Sequence, residues 1–351
     1  MRLWAMPQFF FSASEGDPPG KNLKAKAISP AKVILFGEHF VVDGNSAISM
    51  AIDLPTTVII ELLNGRNIEV QSHNLGVNGT FSPSGELLQC SGENAETSLR
   101  PLFEVANFAL KKFGRDECGL RIMVASKVPI GMGLGSSAAT AVATVSAIAT
   151  IFDRTLTKDE IFDAAYSLER IVHGHPSGVD QATVTHGGLI VYKIGSAISN
   201  LQVTAPPSLI IGNTLKRRST GDLVGRVRRL RDEDPGRYNR LASEAQRLAN
   251  HAVDAIREGK DGALGALMNA NQSLLELVGV SSPELENLIN AARNAGALGA
   301  KLTGGGGGGC MIAVVRESNS IEVSRHIEEA GGQVIPGTFA ATGVRAYMER
   351  N

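Results

Sequence analysis

The chain has 351 residues, 34 basic and 35 acidic, for a formal net charge of −1. At about 100–200 residues per domain that length predicts two domains, and 43% apolar with 20% charged residues is a globular composition. Balanced charge gives no electrostatic footprint for nucleic acid or an anionic membrane, while three scattered cysteines, Cys90, Cys118 and Cys310, argue against a disulfide framework or cysteine zinc site and for a reducing cytoplasm.

Residues 1–22 hold one short apolar run broken by Pro7 and Gln8, a poor secretory signal, and read as a disordered extension. Residues 23–200 are expected to form a first domain and 201–351 a second, with the boundary near Pro206-Pro207. KAKAISPAKVILFGEH predicts a strand, a turn at Ser29-Pro30 and a second strand Lys32–Phe36, and DLPTTVIIELL alternates as a strand does. Residues 64–94 are polar and read as loop. Thr97–Phe113 has helical periodicity ending at Gly114, and GLRIMVASKVPI reads as a strand.

Val128–Phe152 carries no charge, enough for the roughly 20 residues of a membrane span, but it begins VPIGMGLGSS. Its helical part, Ser137–Phe152, would rise only ~24 Å and is read as a buried helix of the core. Lys158–Val172 is an amphipathic helix stopped by Gly174 and Pro176, and GGLIVYKIG is a strand. The second half predicts helices over Gly221–Arg231, Arg237–Glu258, Gly262–Leu277 and Ser282–Ala295. The strand MIAVV, a helix over Ser318–Ala330 and a strand-like Val334–Val344 follow. This irregular interleaving lacks strict strand–helix alternation and predicts an α+β fold.

Chemistry-bearing residues cluster in a few places. Gly131-Met132-Gly133-Leu134-Gly135-Ser136-Ser137-Ala138-Ala139 follows a strand and opens a helix. Such a loop lets backbone N–H groups approach an anion at a positively polarised helix end, so it reads as a phosphate cradle. It is not a Walker A loop, because no GK[ST] follows. Gly304–Gly309 is six glycines inside a domain rather than in a linker, and ordering them costs entropy that close packing against a ligand would offset. Glu169 near a helix C-terminus is unfavourable beside the macrodipole and would welcome a cation such as Mg²⁺, although position alone favours an ordinary solvated glutamate. Ser177 and Asp180 have capping-box spacing; the aspartate could equally serve as a base or orienting charge for attack on a γ-phosphate. His173 and His175 suggest no third metal ligand. Lys32, Glu38 and His39 stand along or just after an apolar strand, where polar groups line a cleft or simply make a turn.

Three ordered segments, SPAKVILFGEH, VPIGMGLGSSAA and KLTGGGGGGC, resemble the three motifs of the GHMP small-molecule kinases. HGHPSGVDQATVTHGG with Glu169 upstream, and RRSTGDLV near 217–224, resemble the mevalonate kinase branch more narrowly. The resemblance implies an N-terminal domain like ribosomal protein S5 domain 2, a ferredoxin-like C-terminal domain, and ATP in the cleft between them. It implies that Asp180 activates the 5-hydroxyl of mevalonate, that Lys32 holds Asp180 ionised, and that Ser137 and Glu169 hold Mg²⁺. The phosphates would lie on Gly131–Ala139, while Glu38, His39, Ser177 and Thr220 would face substrate. Gly304, Gly305, Gly306 and Gly307 would close the site. The pathway implied is isoprenoid synthesis, and a homodimer is compatible with it.

Departures exist: Gln181 follows Asp180 where Asn is commoner, and Lys216-Arg217-Arg218 replaces the usual Val-Pro-Arg. The added charge keeps a phosphomevalonate kinase open. Homoserine and galactose kinases are further rivals, as is a nucleotide-binding sensor without activity. The presence of Lys32, Glu169 and Asp180 weighs against the sensor.

Overall fold

The structure, a computed structural model, describes residues 23–129, 131–173, 176–216 and 220–349. The expectations for residues 1–22 and for His175, Arg217 and Arg218 therefore lie outside the described residues. Strands β1 (Lys24–Phe36), β2 (Ala47–Leu63), β3 (Ile68–Ser72), β4 (Val77–Phe81) and β5 (Leu87–Ser91) precede helix α1 (Ala95–Phe113). Strand β6 (Gly119–Ser126) leads to helices α2 (Ser136–Ile151), α3 (Lys158–His173) and α4 (Val179–His186), then β7 (Leu189–Tyr192) and β8 (Ser199–Asn200). The second half runs β9 (Leu209–Asn213), α5 (Thr220–Glu233), α6 (Pro235–Arg257), α7 (Asp261–Val278) and α8 (Pro283–Asn294). It ends with β10 (Gly299–Leu302), β11 (Cys310–Val314), α9 (Ser320–Glu329), β12 (Gln333–Ile335) and β13 (Arg345–Glu349).

The first sheet has the order β13-β1-β2-β6-β3-β4-β5, with β7 on β2 and β8 on β7. The second has the order β10-β11-β9-β12 and is antiparallel. With its helices it follows the strand–helix–strand–strand–helix–strand course of a ferredoxin-like fold. The α+β class holds. No described helix is long and apolar enough to cross a membrane.

Three local readings need correction. Residues 64–94 are not a loop but carry β3, β4 and β5. These strands are short and half-polar, and β5 is almost wholly exposed, so their alternation is weak. Ser29-Pro30 is not a turn; β1 continues through it with a register shift between Ser29 and Ala31, where a residue lacking an N–H is tolerated. Of the segment expected as one strand over Val334–Val344, only Val334 and Ile335 lie in a strand, β12 of the second sheet; β13 begins just after it at Arg345 and returns to pair with β1 in the first.

The end of β1 reads as continuously apolar because both its faces are buried. Alternate residues Ala31, Val33 and Leu35 join a core shared with α6, α7 and the second sheet. Ile34 packs the other way, against Val179 and Ala182 of α4. Lys32 has the parity of Ile34. Its side chain is therefore carried toward α4 and not into the shared core.

Candidate active site

Lys32 is the first element of the site. Beyond Ile28, where pairing with β13 stops, the open edge of β1 takes two other segments. The Lys32 amide donates to the Leu134 carbonyl at 3.0 Å. The Ile34 amide donates to Thr303 Oγ1 at 2.8 Å, and that hydroxyl donates back to the Ile34 carbonyl at 3.0 Å. The loop before α2 and the strand end after β10 are thus both stitched to one strand.

The loop lies directly over the lysine stem. Gly135 caps α2 with φ of 81°, and a Cβ there would come within 2.8 Å of Lys32 Cγ. No side chain caps α2, so its first N–H groups remain available beside the half-buried Ser136 and exposed Ser137. Lys32 Nζ reaches Asp180 Oδ1 at 2.6 Å, the lysine 2% exposed and the aspartate 34%. Asp180 stands in the first turn of α4, where a carboxylate is favoured by the helix dipole.

The capping-box reading of Ser177 and Asp180 does not hold. The N-cap of α4 is Gly178, which makes no side-chain cap bond, and Ser177 Oγ accepts from the Val179 amide at 3.4 Å. Gly178 is required because a Cβ would collide with Tyr192 Oη at 2.5 Å. Freed from capping, the Asp180 carboxylate turns to Lys32. Glu169 follows Ala165 by one turn on α3, and Ala165 packs with Ala138 and Ala139 of α2. Its carboxyl is pushed up to about 7, first by burial and then by the charge of Asp180, with Lys32 partly opposing.

Glu38 was expected to face substrate and does not. Its side chain is fully buried and forms an ion pair with Lys301, itself fully buried. Lys301 Nζ also donates to the Leu302 carbonyl at 2.6 Å. His39 is half-buried, with Nε2 3.1 Å from the Gly305 carbonyl oxygen, and opens onto a groove of about 530 Å³ bounded by Asp43, Val227 and Arg231. Thr220 heads α5, and its side chain lies outside the described residues.

The six glycines also serve the protein itself. A Cβ at Gly306 would meet the Val280 carbonyl at 2.0 Å and one at Gly307 the Leu223 side chain at 2.5 Å, so these positions are glycine for internal packing as much as for any ligand. They form the turn between β10 and β11.

Lys301 and Thr303 were quoted within their motif but given no role. The signal was present: a lysine inside the apolar strand Gly-Ala-Lys-Leu needs a buried partner. Also missed was a cleft of about 280 Å³ beside the loop, joining Asn74, Ser98, Pro101 and Leu102 to Gly131 and Ser137. Part of its wall follows β3, which had been read as loop.

The chain matches the family model described as the GHMP kinases N terminal domain over residues 101–188 and that described as GHMP kinases C terminal over 252–333. It is 37% identical to a mevalonate kinase of Thermococcus sibiricus and 38% identical to one of Pyrococcus furiosus, each alignment covering 92% of this chain and 98% of the relative. Among solved structures, the Methanococcus jannaschii mevalonate kinase aligns with a TM-score of 0.77 at 26% identity, covering 92% of this chain and 99% of that one. The L. major mevalonate kinase in complex with R-mevalonate aligns at 0.74 and 27%, covering 93% and 96%. The chain belongs to the GHMP kinases, in their mevalonate kinase branch.

Proposed function

We propose that the chain transfers the γ-phosphoryl group of ATP to the 5-hydroxyl of mevalonate, giving 5-phosphomevalonate and ADP. The observation that carries this reading is the Lys32–Asp180 ion pair of 2.6 Å beneath the uncapped start of α2. The amides of the 131–139 loop and the mouth of α2 bind the phosphates, and the adjacent cleft, largely apolar with polar ends at Asn74 and Ser98, accepts the adenine base. Asp180 accepts the proton of the 5-hydroxyl as its oxygen attacks the γ-phosphorus; the bond to the bridging oxygen breaks, and ADP leaves with that electron pair. Lys32 compensates the Asp180 charge and orients the carboxylate. His39 and Ser177 border the acceptor. Positioning and charge neutralisation supply most of the rate.

Mg²⁺ fits the donor set. Glu169 is a half-buried carboxyl whose pKa is raised to about 7, first by burial and then by the charge of Asp180, and a bound cation would offset both. Ser137 offers an exposed hydroxyl at the helix mouth. Among the described residues no cluster of three acidic, His or Cys groups could hold a metal unaided. That suits an ion taking one or two protein ligands and completing its shell with phosphate oxygens and water. When bound, the ion neutralises charge on the transferring phosphoryl group.

A coupled ATP-turnover assay across mevalonate, phosphomevalonate, homoserine and galactose tests the proposal. Mevalonate is expected to give the highest kcat/KM by at least about 100-fold, since a site built for one polar acceptor rejects others strongly. Preferential turnover of phosphomevalonate would replace this reading.

A further inference from the structure

The part of β1 that carries Lys32 is held weakly by its own sheet. Its pairing with β2 is irregular between Ser29 and Ala31 and again between Ile34 and Phe36, which leaves a short regular stretch over Ala31–Ile34. On the other side β13 pairs no further than Ile28. An open strand edge leaves amide and carbonyl groups in need of partners, and buried ones must find them inside the protein. Here the Lys32 amide takes the Leu134 carbonyl at 3.0 Å, and Ile34 takes a side chain. The Thr303 hydroxyl accepts from the Ile34 amide at 2.8 Å and donates to the Ile34 carbonyl at 3.0 Å, standing in for a missing strand.

That hydroxyl is held ready for the task. Thr303 is 1% exposed, and its own amide donates to the Cys310 carbonyl at 3.0 Å. The preceding amide, that of Leu302, donates to Gln272 Oε1 at 2.9 Å. What the hydroxyl grips leads in two directions to the acting pair. Lys32 lies two residues back along the strand with the parity of Ile34, and reaches Asp180 at 2.6 Å. Sideways, the Ile34 side chain packs with Val179 and Ala182, which flank Asp180 in α4. Ser49, paired with Ile34 across the sheet, has its hydroxyl 2.6 Å from that of Thr183 in the same helix. Strand and helix thus meet along the row of Thr303, Ile34 and Ser49, and each bears one member of the Lys32–Asp180 pair.

We infer that Thr303 is a positioning residue for phosphoryl transfer: its hydroxyl, supplied by the second half of the chain, fixes the edge of β1 so that Lys32 and Asp180 keep their geometry toward the acceptor. The inference rests on the reading of Lys32 and Asp180 as the pair that handles the acceptor proton.

The test compares Thr303→Val, Thr303→Ser and Asn45→Ala in the full chain, measuring kcat, the KM for ATP and mevalonate, and thermal unfolding. Valine keeps the shape of threonine without its hydroxyl, and serine keeps the hydroxyl. Asn45 makes another bond between the halves, its amide donating to the Ala242 carbonyl at 2.6 Å, but on the turn before β2 rather than at Ile34. Thr303→Val is expected to lower kcat about 20-fold with the KM for ATP within about threefold, since a small displacement of acting groups is enough for such a loss. Thr303→Ser and Asn45→Ala are expected to keep kcat within about threefold, even where Asn45→Ala lowers the melting temperature as far as Thr303→Val.

A kcat near wild type in Thr303→Val would overturn the inference and leave the hydroxyl as a fastening between the halves. So would an equal kcat loss in Asn45→Ala or in Thr303→Ser. Should Thr303→Val fail to fold, Thr303→Cys decides, because a thiol is a weak donor and acceptor. A kcat lowered at least about fivefold in that variant supports the inference, and a smaller loss overturns it. Lys32→Met separates this from the underlying reading. An intact kcat there removes the role of Lys32 itself, whereas a large loss there with a harmless Thr303→Val removes only the role of Thr303.

Discussion

At the scale of single residues, the site is organised by how three carboxyls share few cations. Glu169 is pushed up to about 7, first by burial and then by the charge of Asp180, which brings its titration near neutrality. Below that value it is protonated and a poor cation ligand; above it, a carboxylate. Apparent Mg²⁺ affinity in a steady-state titration is therefore expected to strengthen as pH rises from about 6 to 8, and Glu169→Gln to bind weakly with a flat profile. The sign for stability is opposite. A carboxyl raised above its usual 4.5 in the folded protein stabilises the fold fully below that value and loses the contribution as pH climbs to about 7. Denaturant melts without metal are expected to show that decline in wild type but not in Glu169→Gln. Lys32, Glu169 and Asp180 were singled out in the sequence by their motifs, and the structure brings Lys32 and Asp180 together as an ion pair. Glu38 was misjudged because spacing alone does not tell which way a side chain turns at the end of a strand.

At the scale of elements, the start of α2 has the open, side-chain-free mouth that the proposed phosphate-binding role requires. Gly135 holds a left-handed conformation, φ 81°, that also lets the loop rest on the Lys32 stem. Gly135→Ala is expected to lower kcat more than about tenfold, by pushing Lys32 aside as well as straining the backbone by about 1–3 kcal/mol. Gly114→Ala is the control. It shares the left-handed backbone, φ 66°, but its Cβ would meet nothing, so stability falls by about 1 kcal/mol and kcat stays near wild type. The helices were readable because their apolar faces repeat strongly, as in α1, α3 and α6. Strands β3, β4 and β5 were not, since a short strand near a sheet edge with polar outward residues differs little in composition from a loop.

At the scale of the whole molecule, the acting groups come from both halves of the chain and meet at the end of β1. The cradle and Asp180 come from the first half; the segment from Lys301 to Gly305 comes from the second and docks on the same strand edge. One apolar core runs from β1 and β2 into α6, α7, α8 and the second sheet, so the two halves of the chain share a packed interior. The α+β class was visible in the order of elements, whereas the ferredoxin-like second half was implied only by the family resemblance, because strands β9 and β10 were not read from the sequence. The return of β13 to the first sheet was not visible, because strand pairing over that sequence distance leaves no local pattern. Under the proposed function this arrangement separates nucleotide binding, assigned to the 131–139 loop and the base cleft, from proton acceptance, assigned to Asp180 of α4.

Single-turnover phosphoryl transfer from ATP to mevalonate by Asp180→Asn, followed by rapid quench beside equilibrium ATP binding, probes that separation directly. The predicted result is a transfer rate lowered about 10²–10⁴-fold with ATP affinity within about threefold of wild type. A transfer rate near wild type, or an ATP affinity that falls as far as the rate, would contradict it.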